Sequence, residues 1–129
     1  MAELTLKKRR PLWYNLSPLN LPLPGLVSIF HRVSGVALFV GVPWLLYLLE
    51  ASLSSPESFE SFKAAVSHPF AKLCLIVLAW SYLHHFCAGI RYLAIDLQLA
   101  SSLARARSSS KWVLVASLAL TATAGVWLW

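Results

Sequence analysis

Two adjacent histidines, an arginine and an aspartate are set into an otherwise apolar stretch, Ser81-Tyr-Leu-His-His-Phe-Cys-Ala-Gly-Ile-Arg-Tyr-Leu-Ala-Ile-Asp96. On a helix, His85, Gly89, Tyr92 and Asp96 fall in one stripe about 60° wide, with His84 and Arg91 in a second stripe beside it. Ionisable side chains at membrane depth are costly and usually face a protein interior or a cofactor. A low-spin b-type haem needs two neutral imidazoles on opposite sides of its iron, buried between helices. His85 is a candidate for one of them, about 9 Å along the helix from Arg91. Gly89, one turn on, leaves room for a flat macrocycle against the backbone. The other reading of His85 is a histidine hydrogen-bonded to a neighbouring helix, and these residues alone leave both open.

A second group lies near the start of the first apolar run, Ser28-Ile-Phe-His-Arg-Val-Ser-Gly35. Ser28, Arg32 and Gly35 share a helical stripe, with His31 displaced about 100° from Arg32. A hydroxyl donor and a fixed cation one turn apart could bind a quinone carbonyl and stabilise the oxyanion formed on reduction. The alternative is a snorkelling arginine beside a helix-start serine, which spacing alone favours. His31 is expected at the inner edge of its helix and His85 deeper, while His84 points about 100° away from His85. Axial ligands should share a depth, so neither His31 nor His84 completes a pair with His85. Three helices also fall one short of a four-helix bundle. The expectation is a second membrane chain that supplies the other ligand, leaving His31, Arg32 and Arg91 suited to the haem propionates. The sequence contains no nucleophile triad, phosphate-binding glycine loop or carboxylate pair, and nothing resembling a self-contained enzyme.

These groups need membrane helices to position them. Of the 129 residues, 12% are charged and 58% hydrophobic, against roughly 25% charged in soluble domains. Uncharged apolar runs at Val33–Leu49, Leu73–Ile90 and Trp112–Trp129 hold 17, 18 and 18 residues, close to the ~20 needed to cross a bilayer. The fold class is therefore all-α and integral to the membrane, with three spans at about 26–49, 69–99 and 111–129 forming a domain over 26–129. The net charge of +6 reflects topology rather than nucleic-acid binding: Lys7, Lys8, Arg9, Arg10, Arg32, Arg91, Arg105, Arg107 and Lys111 fall on one side, with Lys63 and Lys72 on the other. The positive-inside rule makes the N-terminus and the 97–111 loop cytoplasmic, or on the matrix equivalent, and the C-terminus external. Residues 1–25, broken by Pro11, Pro18, Pro22 and Pro24, read as an irregular segment along the inner face. A kink is expected at Pro43. Residues 50–68 read as a polar connection with a short amphipathic turn from Ser61 to Val66, and His68 there as solvated. Trp80 and Tyr82 are expected to face the bundle. Ser117, Thr121 and Gly125 form a small-residue packing ladder. Cys74 and Cys87, about 20 Å apart on one helix, cannot pair.

The segments Ser28-Ile-Phe-His-Arg-Val-Ser-Gly35 and His85-Phe-Cys-Ala-Gly-Ile-Arg-Tyr-Leu-Ala-Ile-Asp96 resemble the two signature regions of the cytochrome b subunit of succinate dehydrogenase, respiratory complex II. Arg10-Pro11 before a proline-interrupted segment and the three spans fit too, so the resemblance covers nearly the whole chain. It implies that His85 is this chain's axial ligand to haem b, the other histidine coming from a second small membrane-anchor subunit in a heterodimeric helical bundle. It implies that Ser28 and Arg32 line a ubiquinone site completed by the iron–sulfur subunit and the other anchor, with His31 and Arg32 near the haem propionates. Electrons would come from succinate through a flavoprotein subunit and iron–sulfur clusters. Some members have a histidine directly after the Gly-Ile-Arg motif, where this chain has Tyr92. The setting implied is a bacterial inner membrane, with the C-terminus periplasmic. A fumarate reductase anchor has the same parts, and a structural anchor without redox chemistry is the reading from a different class. A channel or transporter subunit fits less well, since the polar residues cluster in the inner half.

Overall fold

The computed structural model describes residues 21–99 and 102–129, which form four α-helices and, among the described residues, no strands. These are α1 (Leu23–Ser54), α2 (Pro56–Ser67), α3 (Pro69–Asp96) and α4 (Leu103–Leu128). Helices α1, α3 and α4, with 32, 28 and 26 residues, are long and apolar enough to cross a membrane. At 1.5 Å per residue each exceeds the ~30 Å hydrocarbon layer. The all-α, three-span architecture expected from the sequence is present. The expected segment 1–25 lies mostly outside the described residues.

Local chemistry sets the ends. Helix α1 opens after Pro22 with Pro24 in its first turn, where a missing N–H leaves no hydrogen bond unmade. It continues as helix through Pro43. Its last turn extends past the expected end at 49, with the Ser52 and Ser54 hydroxyls donating to the Leu49 and Glu50 carbonyls, each at 2.7 Å. The connection expected to hold only a short turn is instead the full helix α2. A reciprocal cap starts it: Ser58 N–H donates to Ser55 Oγ at 3.1 Å, and Ser55 N–H to Ser58 Oγ at 2.9 Å. His68 is exposed and accepts from the Phe70 N–H at 3.2 Å, so it caps α3. Helix α3 stops at Asp96, short of the expected 99, where Gln98 takes a left-handed φ of 60°. Helix α4 starts well before the expected 111, with Ser102 Oγ accepting from Arg105 N–H at 3.3 Å. The Ser- and Arg-rich stretch read as loop is thus its first turns, where Ser109 and Ser110 donate to the Ala106 carbonyl.

Helix α3 packs against both α1 and α4. Few large apolar side chains hold them: the buried hydrophobic core is Val27, Ala88 and Val113. Ser34, Ser81, Ser110, Ser117 and Thr121 are buried with them. Each hydroxyl donates to a carbonyl three or four residues back in its own helix, so a polar residue can be buried without an unmade bond. Small side chains let the backbones approach, the usual basis of helix association where lipid is as apolar as leucine. The expected ladder is seen, with Ser117 and Thr121 buried and Gly125 half-buried near Ile76. Trp80 packs inward on Phe30 at a ring-centroid distance of 5.8 Å. Tyr82 does not face inward as expected: it is 59% exposed and stacks on the equally outward Phe86.

Gly41 lets α1 come close to α3, since a Cβ there would lie 2.5 Å from Leu78 Cδ2. Gly41→Ala should be tolerated, because the Leu78 tip can rotate away. Gly41→Leu should cost about 1–3 kcal/mol through overpacking, and adding Leu78→Ala should recover most of it. Denaturation of the purified protein in micelles measures all three.

Candidate functional site at the junction of α1 and α3

The two stripes read from the sequence of α3 face different helices. His85 and Tyr92 meet α1, whereas Ser81, His84, Ala88 and Arg91 are buried along α3, with His84 and Arg91 bonded to α4. On the first stripe, the His85 ring stacks on that of His31 with centroids 4.0 Å apart and planes 14° from parallel. Tyr92 lies on the other side of this contact, 5.2 Å from His31 by ring centroids.

This corrects the expected depth difference, because His31 and His85 sit at the same level. Flanking charges place a residue in depth only to within a turn or so, and the packing of α1 on α3 brings the two rings into contact. Stacked face to face, the two rings do not aim their nitrogens at a common point between them.

The hydrogen bonds of His85 define its tautomer. Its Nδ1 lies 3.0 Å from the His31 carbonyl oxygen and 3.3 Å from Ser34 Oγ. A carbonyl can only accept, so Nδ1 carries the proton and donates, leaving the coordinating lone pair on Nε2. Ser34 also donates to the same carbonyl at 2.9 Å. Gly35 completes the seat: a Cβ there would stand 3.0 Å from His85 Cε1. At Gly89 an added Cβ would meet only His31 Nε2, at 3.9 Å.

His84 occupies a different environment. It is fully buried, with Nδ1 3.4 Å from Ser117 Oγ on α4, its ring stacked on Trp80 at 5.3 Å and edge-on to Phe30 at 5.8 Å. Its Nε2 has no hydrogen-bond partner among the described residues. The protein's own side chains enclose this ring.

Arg91 is only 7% exposed. Its Nε donates to Ser109 Oγ at 3.0 Å and its Nη2 to the Ala106 carbonyl at 3.4 Å, so it ties α3 to α4. Its guanidinium carbon also stands 5.4 Å from the Tyr92 ring centroid. The Tyr92 hydroxyl is buried without a partner among the described residues. Ser28 is half-buried and Arg32 exposed in the N-terminal third of α1, neighbouring His31 along the helix but outside the stack. Ser34, Ser109 and Ser117 are the polar partners that the sequence reading passed over. Ser34 lies one helical turn after His31, Ser117 contacts His84 only through the packing of α4 on α3, and Ser109 joins the site because α4 starts at Leu103.

Haem was expected at His85, and the side chains here fit one. His85 presents a lone pair on Nε2 from a ring pinned at Nδ1, and about two turns along the same face the Tyr92 hydroxyl has no partner among the described residues.

Three apolar membrane-length helices, with polar groups at the α1–α3 and α3–α4 junctions, define a multi-pass membrane subunit. The profile of the succinate dehydrogenase/fumarate reductase transmembrane subunit family matches residues 7–124, and the chain belongs to that family. It is 36% identical over 122 residues to the succinate dehydrogenase cytochrome b556 subunit of Coxiella burnetii, covering 94% of this chain and 98% of that one. The subunit of the same name from Paracoccus denitrificans is 30% identical, with 93% and 92% covered. That of Rickettsia felis is 30% identical, with 88% of both chains covered.

If Arg91 ties α3 to α4, Arg91→Met should lower stability by about 1.5–3 kcal/mol, the range for hydrogen bonds to a charged group. Arg91→Lys should recover only part, since it cannot span both acceptors in a fork. Unfolding titrations in micelles read the difference.

Proposed function

We propose that this chain is the cytochrome b membrane anchor of a succinate:ubiquinone oxidoreductase. It holds one side of a haem b and helps form the site of quinone reduction. The observation that carries this reading is His85, whose Nδ1 proton is committed to the His31 carbonyl while Nε2 is left to bind iron. A ligating histidine characteristically donates its other ring N–H in this way, which fixes the ring and raises its basicity. His84, the alternative ligand, is enclosed by Phe30, Trp80 and Ser117, and a macrocycle could reach it only by separating helices. The haem would supply a one-electron carrier near the quinone.

The other axial histidine would come from a second small anchor subunit, a reading supported by the engagement of His31 in the stack with His85. His31, Arg32, Arg91 and the partnerless Tyr92 hydroxyl are the groups available to the propionates; Arg91 does so with two donors already given to α4. Ser28 and Arg32 donate to the quinone, the hydroxyl to a carbonyl oxygen and the guanidinium to the oxyanion that develops there. Electrons reach this end from a flavoprotein through an iron–sulfur subunit. The succinate dehydrogenase names of the relatives favour the succinate-oxidising direction. The bacterial origin of those relatives, with Arg32, Arg91, Arg105, Arg107 and Lys111 at one end of the bundle, supports an inner-membrane location with that end cytoplasmic.

Purification through a tag on this chain should recover a flavoprotein, an iron–sulfur protein, a second small membrane protein and haem. His85→Ala should abolish the haem absorbance, whereas His84→Ala should keep it. Ser34→Ala should weaken haem retention by roughly tenfold, as expected for a group that orients a ligand. Loss of haem in His84→Ala with retention in His85→Ala would overturn the assignment.

A further inference from the structure

At the end of the bundle away from Arg91, a cavity of about 550 Å³ lies between α1, α2, α3 and the last turn of α4. That volume falls within the ~300–1,000 Å³ of sites that hold small ligands. Leu48, Phe62, Leu75 and Leu128 are among its walls, and its polar lining is confined to Ser52, Lys63, Ser67 and Lys72. Among the described residues, Lys63 and Lys72 are the basic residues of this end, and both line this one cavity. No carboxylate side chain lines it.

Both lysines already have partners, and Lys63 also stands 5.3 Å from the centre of the Phe59 ring. Lys63 pairs with Glu60 at 2.7 Å, and Lys72 donates to the Trp129 carbonyl at 3.2 Å with its ammonium 5.3 Å from the centre of that indole. An ammonium has three donors, so both keep N–H groups for a further acceptor. Helix α2 holds Lys63 in place. It is amphipathic, begins at a capping box and lies across the outer ends of α1 and α3.

Apolar walls with two cations and two hydroxyls beside them match an amphiphile whose head is an anion. We propose that this cavity binds an anionic glycerophospholipid, with an acyl chain among the leucines and the headgroup phosphate at Lys63 and Lys72. Basic pockets at the ends of membrane helices hold lipid headgroups by this complementarity. A ubiquinone head carries no charge until it is reduced, whereas a phosphate is anionic throughout, so a pair of cations favours the phospholipid.

The test uses the assembly recovered through a tag on this chain, stripped of lipid in detergent. It is then offered equal amounts of palmitoyl-oleoyl phosphatidylglycerol and phosphatidylcholine, and adducts are counted by native mass spectrometry. One phosphatidylglycerol should be retained roughly tenfold over phosphatidylcholine, the scale set by two interfacial lysines. The double variant Lys63→Gln/Lys72→Gln should lose that preference, and the surface change Lys63→Gln alone should reduce it. Ser52→Phe, which fills the cavity, should reduce retention of both lipids. The proposal is overturned if the wild type shows no preference, if the double variant keeps it, or if ubiquinone is the molecule lost from Ser52→Phe. These readouts do not depend on haem.

Discussion

The His85 Nδ1–H to His31 carbonyl hydrogen bond joins α1 to α3 and fixes the orientation of the His85 ring. For that bond to form, the two backbones must come close, and the sequence meets the requirement with small residues. Gly35 leaves space for the imidazole and Gly41 for Leu78. Ser34 is buried at the contact and shares the same carbonyl. Replace any of these with a bulky side chain and the ring loses either its seat or its acceptor. The bond also determines which nitrogen can coordinate, so a packing constraint between two helices becomes a chemical constraint on one atom.

The rest of the bundle keeps that junction in register. A membrane offers no hydrophobic force between helices, and the helices here meet through hydroxyls satisfied within their own turns. His84 and Arg91 bond α3 to Ser117 and Ser109 of α4. Helix α3 is thus held from both sides, and the rotation that points His85 at α1 is the one that buries His84 toward α4. Adjacent histidines of the same chemistry acquire different surroundings through their 100° offset.

Much of this was legible in the sequence. The 3.6-residue period separated the His85 stripe from the His84 stripe, and apolar length gave the three spans. What was missed depended on contacts between distant residues or on hydrogen bonds at helix ends. The Ser55–Ser58 cap turns a polar connection into α2, and Ser102 starts α4 early enough for Ser109 to meet Arg91. The level of His31 is not legible in the sequence, because flanking charges locate a helix only to within a turn or so and helix packing decides the rest. Tyr82 was assigned inward by its depth, but its position around the helix places it on the outer face with Phe86.

The central claim is that His85 is one half of a bis-histidine site whose other half belongs to a second chain. Its most direct test is the electron paramagnetic resonance and optical spectrum of haem bound to this chain alone, as a monomer in detergent, compared with the same chain co-expressed with the second anchor subunit. A low-spin bis-imidazole signature that appears only with the partner present is the expected result. One stable low-spin bis-imidazole haem on the isolated monomer would contradict it.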